Sequence, residues 1–318
     1  MKPGYLTLYE NSKLDALIDG TYNLLKSCAL CPRLCGVNRL KDERGFCRTG
    51  ARPIVYSSLV HHGEEPPISG SSGSGTIFFS NCNMRCVYCQ NYEFSQNNNG
   101  KEMELEDLAM LMLELEKSKC HNINLVTPTH VMPQILKALK IAVSKGLSIP
   151  IVYNTSGYDL PEIIRKLKGI VDIYLPDMRY AKSEISKKYS QAPDYPKYNR
   201  ESVKEMYRQV GTAQINKDGV IEKGLIIRHL VLPNNISGTK EIMRFIAKEI
   251  SKDTYISLMS QYFPYYKAGE FPELNRRVTK EEYDAAIEYM RENGLHNGWI
   301  QESGGHDIFA GVNIKPNA

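Results

Sequence analysis

The chain has 318 residues, and none of its apolar runs approaches the roughly 20 residues needed to cross a bilayer. Its first residues, Met1-Lys2-Pro3-Gly4-Tyr5, carry no apolar stretch of the kind a secretory signal needs. Neither a membrane partner nor export is expected, and a cytoplasmic location is. Net charge is only +4, and no basic helix or interleaving of aromatic with basic residues stands out, so nucleic acid is not an expected partner. Cysteine is absent after Cys120, while seven of the eight cysteines fall between Cys28 and Cys89. A secreted disulfide protein spreads its cysteines through the regions they must hold together, whereas short-spaced thiols more often bind metal. With 42% hydrophobic and 24% charged residues, the chain can bury a sizeable core, which excludes wholesale disorder.

The pattern along the chain divides it into four stretches. Residues 1–52 form a cysteine-rich N-terminal segment expected to bind metal. Residues 53–75 are rich in Gly, Pro and Ser (Glu64-Glu65-Pro66-Pro67, then Ser69 to Gly75), which predicts an irregular connector without helix or strand. From 76 to 265 short apolar runs alternate with amphipathic stretches. The runs at 76–80, 123–127, 149–154, 171–175, 225–232 and 255–259 read as buried strands. The stretches 104–119, 132–145, 160–168, 201–210 and 240–251 read as helices. Strand–helix alternation of this kind implies a parallel sheet with right-handed crossovers. Six units in about 190 residues are too few for a full barrel of about 250, which leaves an open doubly wound sheet or an incomplete barrel. Either way ligands belong at the C-terminal ends of the strands. Residues 266–318 form a C-terminal extension, in which Thr279-Lys280-Glu281-Glu282 reads as a capping box opening a helix.

The first strand is followed by Cys82, Cys86 and Cys89 in C-x3-C-x2-C spacing, with Tyr88 before the last cysteine. Three thiolates on one short loop suit one metal centre. Structural zinc wants a fourth ligand and no His follows at knuckle spacing. A [4Fe–4S] cluster held by three cysteines leaves one iron open to an amino-acid-like ligand.

This loop resembles the signature of the radical S-adenosylmethionine (SAM) superfamily. Within it, the stretch 76–263 is similar to pyruvate formate-lyase activating enzyme and to activating-enzyme-like proteins. The resemblance implies an α/β fold, an incomplete (β/α)6 TIM-like barrel. It also implies a [4Fe–4S] cluster on the three cysteines and reductive cleavage of SAM to a 5′-deoxyadenosyl radical that abstracts hydrogen. The substrate would be a glycyl-radical protein, or else a small molecule or another peptide; a non-catalytic iron–sulfur or zinc protein is the competing class.

Strand ends supply the SAM contacts that the resemblance implies. The second ends Thr127-Pro128-Thr129-His130 where the activating enzymes have Gly-Gly-Glu, so Thr127 and Thr129 stand in, with His130 either a ligand or a structural residue. The third ends Asn154-Thr155-Ser156-Gly157, similar to the turn that holds SAM and a monovalent cation. The fourth carries Asp177 and Arg179, matching an acid and a base that contact SAM. The fifth carries Arg228 and His229 on opposite faces, and Arg228 is the better match. The sixth ends Gln261-Tyr262, where adenine and substrate contacts are expected. Tyr88 belongs to the same site.

Four further cysteines, Cys28, Cys31, Cys35 and Cys47, lie within 20 residues without histidine, which suits either zinc or a second iron–sulfur cluster. Arg33, Arg39, Lys41, Arg44 and Arg48 surround them and outline a docking patch for a low-potential electron donor such as flavodoxin or ferredoxin. Cys120 reads as a small buried hydrophobe.

Overall fold

A computed structural model of the chain describes residues 1–301. The elements, in chain order, are α1 (Gly4–Glu10), α2 (Leu14–Tyr22), β1 (Ile54–His61), α3 (Pro66–Ser69), β2 (Ser74–Phe79), α4 (Tyr92–Ser95), β3 (Lys101–Glu102), α5 (Leu105–Lys117), β4 (Ile123–Val126), α6 (Met132–Ser144), β5 (Ile151–Thr155) and α7 (Pro161–Lys166). They continue with β6 (Ile173–Pro176), α8 (Ser183–Ser190), α9 (Tyr195–Val210), β7 (Gln214–Ile215), β8 (Ile221–Leu230), α10 (Thr239–Phe245), β9 (Tyr255–Met259), α11 (Lys280–Glu292) and β10 (Gly298–Ile300). Among the described residues no helix is long and apolar enough to cross a membrane.

The strands form one open sheet in the order β10-β9-β8-β6-β5-β4-β2-β1-β3, with β7 beside β8. From β2 to β10 along this path every pairing is parallel. This is the incomplete TIM-like barrel expected, with its six strands displaced by a few residues at their ends. A seventh parallel strand, β10, extends it on β9. The rest of the C-terminal extension, from residue 302, lies outside the described residues. The capping box of α11 forms as read, the Thr279 hydroxyl accepting from the Glu282 N–H and the Glu282 carboxylate from the Thr279 N–H.

One reading needs correction. Residues 53–75 are not irregular: β1 pairs antiparallel with β2, from His61 opposite Ser74 to Val55 opposite Phe79. The β-branched and apolar residues Ile54, Val55, Leu59 and Val60 build that strand, and the breakers are confined to the segment between β1 and β2. Pro66 and Pro67 occupy the first turn of α3, where a missing N–H costs nothing. Residues 1–52 also pack on the barrel. Tyr5, Leu14 and Ile18 are buried in the core shared with α6, and the Tyr5 hydroxyl donates to the Ile149 carbonyl at 2.8 Å.

The pleat divides the strand residues between two environments. Ile77, Leu125, Tyr153, Tyr174, Ile227 and Leu258 face the surrounding helices in the main core. Val152, Ile173, Leu175 and Ile226 face the barrel interior, where they pack on Ile68 of α3. The segment after β1 thus plugs the barrel from below. Continuing the alternation upward places Asn154, Asp177 and Arg228 in the interior and Thr155 and His229 on the helix side.

Candidate functional site

The loop after β2 carries Cys82, Cys86 and Cys89. Cys82 and Cys86 are buried and Cys89 is half-buried, all as free thiols. Burial pushes the Cys82 thiol up to about 12, and Cys86 and Cys89 add to the rise. Cys89 is raised by the same causes, burial first. Thiols this reluctant to ionise alone are stabilised as thiolates by a bound cation, which replaces the proton. The Ser190 hydroxyl donates to Cys86 Sγ at 2.9 Å and the Ser95 hydroxyl lies 3.1 Å from Cys89 Sγ. Soft donors, burial and hydroxyl support fit an iron–sulfur cluster. No histidine or carboxylate competes within the loop.

Beneath the loop runs an ion-pair network. Arg179 Nη1 lies 3.9 Å from Cys86 Sγ, and its Nη2 donates to Asp177 Oδ2 at 2.5 Å. Arg228 Nε donates to Asp177 Oδ1 at 2.9 Å and Nη2 to Asn154 Oδ1 at 2.7 Å. Arg228 Nη1 also lies 3.7 Å from Glu64 Oε2. Burial alone would raise the Asp177 carboxyl, but Arg228 and Arg179 outweigh it and hold it below its ordinary value. The Asp177 carbonyl is fixed by the Tyr195 hydroxyl and the Asn199 amide, both at 2.9 Å. Gly157 lets these elements meet: it has φ +77°, and a Cβ there would lie 2.2 Å from Asn199 Nδ2 and 2.3 Å from the Asp177 carbonyl oxygen.

The sequence-expected residues therefore separate into two groups. Asn154, Asp177, Arg179 and Arg228 come together under the cysteine loop. Ser156 lies beside them with its buried Oγ unpartnered, and Thr127 stands at the end of β4 in the left-handed region, φ 59°. Gln261 sits against the cysteine loop, its carbonyl accepting from Gln90 at 3.2 Å.

Other assignments change. Thr129 and Thr155 do not point into the barrel, because their hydroxyls both donate to the buried Asp159 at 2.7 Å. Tyr88 is buried with its hydroxyl 2.5 Å from that of Tyr180, which continues to Ser190 at 2.6 Å and so to Cys86. It supports the loop rather than offering a free hydroxyl. Tyr262 is a buried anchor donating to the Leu274 carbonyl at 2.8 Å. His229 lies between the Met178 carbonyl and Thr239 on the helix side, and burial lowers it to about 4. His130 contacts the Ser80 carbonyl at 2.8 Å, and burial lowers it to about 3. The Asn154 side-chain oxygen accepts from the Arg228 guanidinium.

The basic stretch divides, with Lys41, Arg44 and Arg48 exposed. Arg39 is buried, Arg33 stacks on Phe46, and Arg44 pairs with Asp42 and Glu102. Cys28, Cys31, Cys35 and Cys47 line one pocket. Among the described residues, no three His, Cys, Asp or Glu side chains are drawn together tightly enough to share a single metal ion. Cys120 is buried in the main core.

Sequence reasoning missed Glu64 and Glu65. Glu65 is buried, with a carboxyl raised to about 7 by desolvation, opposed by Arg228 and reinforced by Glu64. Two adjacent acids without a local base, directly before the Pro-Pro turn, were the available signal.

The family model of the radical SAM superfamily matches residues 76–246. The chain is 34% identical over 292 residues to "Uncharacterized protein MJ0674" of Methanocaldococcus jannaschii, covering 89% of this chain and 79% of that one. It is 23% identical over 305 residues to "Uncharacterized protein MJ0808" of the same organism, covering 88% and 82%. Among solved structures it is similar to HydG, a maturase of the [FeFe]-hydrogenase, with TM-score 0.49 and 13% identity. That match covers 71% of this chain and half of the HydG chain. A family model spanning most of the barrel, and a 34% identical relative matched over most of its length, place the protein: this chain belongs to the radical SAM superfamily.

Proposed function

We propose that the chain is a cytoplasmic enzyme of the activating type, which binds SAM between the Cys82–Cys89 loop and the Asp177 network and abstracts hydrogen from a backbone glycine of a partner protein. Superfamily membership implies SAM and a [4Fe–4S] cluster; bound together, they supply a 5′-deoxyadenosyl radical when one electron arrives. In this reading Cys82, Cys86 and Cys89 hold the cluster, and the electron comes from a low-potential carrier of the flavodoxin or ferredoxin class.

The protein's own part is binding and orientation. The observation that carries the reading is Asp177: an ionised, buried carboxylate held by two guanidiniums, of which Arg179 also lies 3.9 Å from Cys86 Sγ. An ammonium can take one of its oxygens while Arg179, freed from that oxygen, turns its guanidinium to a carboxylate. Ser156 and the Thr127 turn offer further polar groups at the same level. The Tyr88–Tyr180–Ser190 chain fixes Cys86 from behind, and the tyrosine rings around the loop exclude water. The glycine substrate is supported by the likeness of Asp177 and Arg228 to the strand-end residues of the activating enzymes.

One observation favours a second substrate class, a small polar molecule. Buried Asn124, on the same side of the sheet as Val152, has neither amide atom partnered, and Glu65 Oε2 is unpartnered as well. These groups suit a ligand reaching into the barrel.

The test is anaerobic reconstitution with iron, sulfide, SAM and dithionite. Formation of 5′-deoxyadenosine and methionine is expected, and their absence from a cluster-loaded preparation would overturn the enzyme reading. Incubation with glycyl-radical proteins of the same genome should leave a persistent glycyl radical signal on one of them. Silence with all of them moves the substrate to the small-molecule class.

A further inference from the structure

The four N-terminal cysteines come from three turns. Cys28 follows a 3-10 helix, Cys31 opens a turn closed by the Leu34 N–H, Cys35 follows Leu34 in the left-handed region (φ 43°), and Cys47 arrives after a further 11 residues. Gly45 allows the last approach: a Cβ there would lie 2.7 Å from Cys35 Sγ. All four line one pocket, and Arg39 forms part of its wall. Arg39 is 1% exposed, and its guanidinium donates only to carbonyls, to Gly50 at 2.9 and 3.1 Å and to His130 at 2.7 Å. Among the described residues it has no carboxylate partner. Arg33, in the same wall, has a buried Nη2 without any partner. Buried guanidinium charge without a counter-anion is costly, and an anionic centre of four thiolates and metal supplies one.

The two candidate centres differ in size. A tetrahedral zinc ion holds its sulfurs about 3.8 Å apart. A cubane binds each thiolate to a different iron and spreads them more widely. The four thiols line one pocket, and among the described residues no three of them close into a single-ion shell.

The pocket also abuts the other cysteine loop. Asn83 is the residue next to Cys82. The Asn83 carbonyl accepts from Arg33 Nε at 2.9 Å. Phe46, next to Cys47, is sandwiched between Arg33 at 3.6 Å and Arg85 at 4.5 Å from its ring centre. Arg85 lies between Cys82 and Cys86, and its Nη2 donates to the Phe46 carbonyl at 2.5 Å.

From these contacts we propose that Cys28, Cys31, Cys35 and Cys47 hold a second iron–sulfur cluster of the cubane type, with Arg39 and Arg33 as its counter-charges, in contact through Asn83 and Phe46 with the loop of the first. Only the role of this second cluster as a neighbour of a SAM-binding one rests on the proposed function; its existence does not.

The deciding experiment is iron, zinc and sulfide analysis with EPR on the full chain, reconstituted anaerobically. It uses wild type, a variant with Cys82→Ala, Cys86→Ala and Cys89→Ala, and a variant with all four N-terminal cysteines changed to Ala. About eight irons and eight sulfides are expected in wild type and about four of each in either variant. SAM should alter the reduced EPR spectrum of the N-terminal variant and leave that of the triple variant unchanged. Wild type, with both clusters reduced, should show spin coupling that neither variant shows. Zinc without sulfide in the triple variant, or no metal there, overturns the proposal. That result does not depend on whether the N-terminal variant folds. Iron retained in the triple variant but missing from a folded N-terminal variant would sink the proposed function and leave this site standing.

Discussion

Asp159 and Asp177 are both buried aspartates just beyond the C-terminal ends of neighbouring strands, and they serve opposite purposes. Asp159 faces the helices and accepts from three neutral hydroxyls, those of Thr129, Thr155 and Tyr153. Its carboxyl is raised by burial, which those hydrogen bonds only partly offset. Asp177 faces the barrel interior, meets two guanidiniums and is held below its ordinary value despite burial. Neutral donors satisfy a side chain and close it off as scaffold. Charged partners leave an acid that can exchange one of them for a ligand. Position at a strand end marks both residues equally; the face of the pleat separates them.

The strongest way to break this contrast is to remove the chemistry above Asp177. Cys86→Ala is expected to abolish 5′-deoxyadenosine formation while circular dichroism and thermal melting stay near wild type. Gly157→Ala attacks the point where the two halves meet. Its Cβ has no room between Asn199 and the Asp177 carbonyl, so denaturant titration should show a loss of about 3 kcal/mol. Asp177→Asn should raise the SAM Kd of the reconstituted protein about 30-fold, the equivalent of roughly 2 kcal/mol. Thr155→Val, on the Asp159 side, should cost about 1.5 kcal/mol of stability, because its hydroxyl donates to Asp159 and accepts from the Gly157 N–H, and leave SAM affinity unchanged.

The smallest effect is in acid. Because the Asp177 carboxyl is depressed in the fold, its stabilising contribution is complete above the unfolded value of about 3.9 and disappears as pH falls through the folded value below it. Stability measured from pH 5 downward should therefore fall less steeply in Asp177→Asn than in wild type.

Much of this was legible in the sequence. Cys82, Cys86 and Cys89 declare themselves by residue type and spacing alone, and the six apolar runs declare a parallel α/β sheet because buried parallel strands read as unbroken Ile, Val and Tyr, while its barrel form comes from the resemblance. Arg228 against His229 was also readable, since two polar residues in one strand must face opposite ways. Thr129 and Thr155 were not: hydroxyls at a strand end look alike whichever way they point, and the acid that claims them, Asp159, becomes their neighbour only in the fold. Glu64 and Glu65 reach Arg228 because α3 plugs the barrel, and the Pro and Gly around that plug hid it. The basic residues near Cys35 suggested an open patch because charge is ordinarily solvated, yet Arg39 and Arg33 turn inward. β10, three residues beginning at Gly298, is too short to carry a pattern.

If the interior face of the strand ends binds SAM and the helix-side face does not, the two aspartate environments must respond differently to substitution. Isothermal titration of SAM into cluster-loaded wild type, Asp177→Asn and Thr155→Val tests this most directly. Wild-type affinity is expected in Thr155→Val and about 30-fold weaker binding in Asp177→Asn. Equal losses in the two variants, or a larger loss in Thr155→Val, would contradict that division of the barrel.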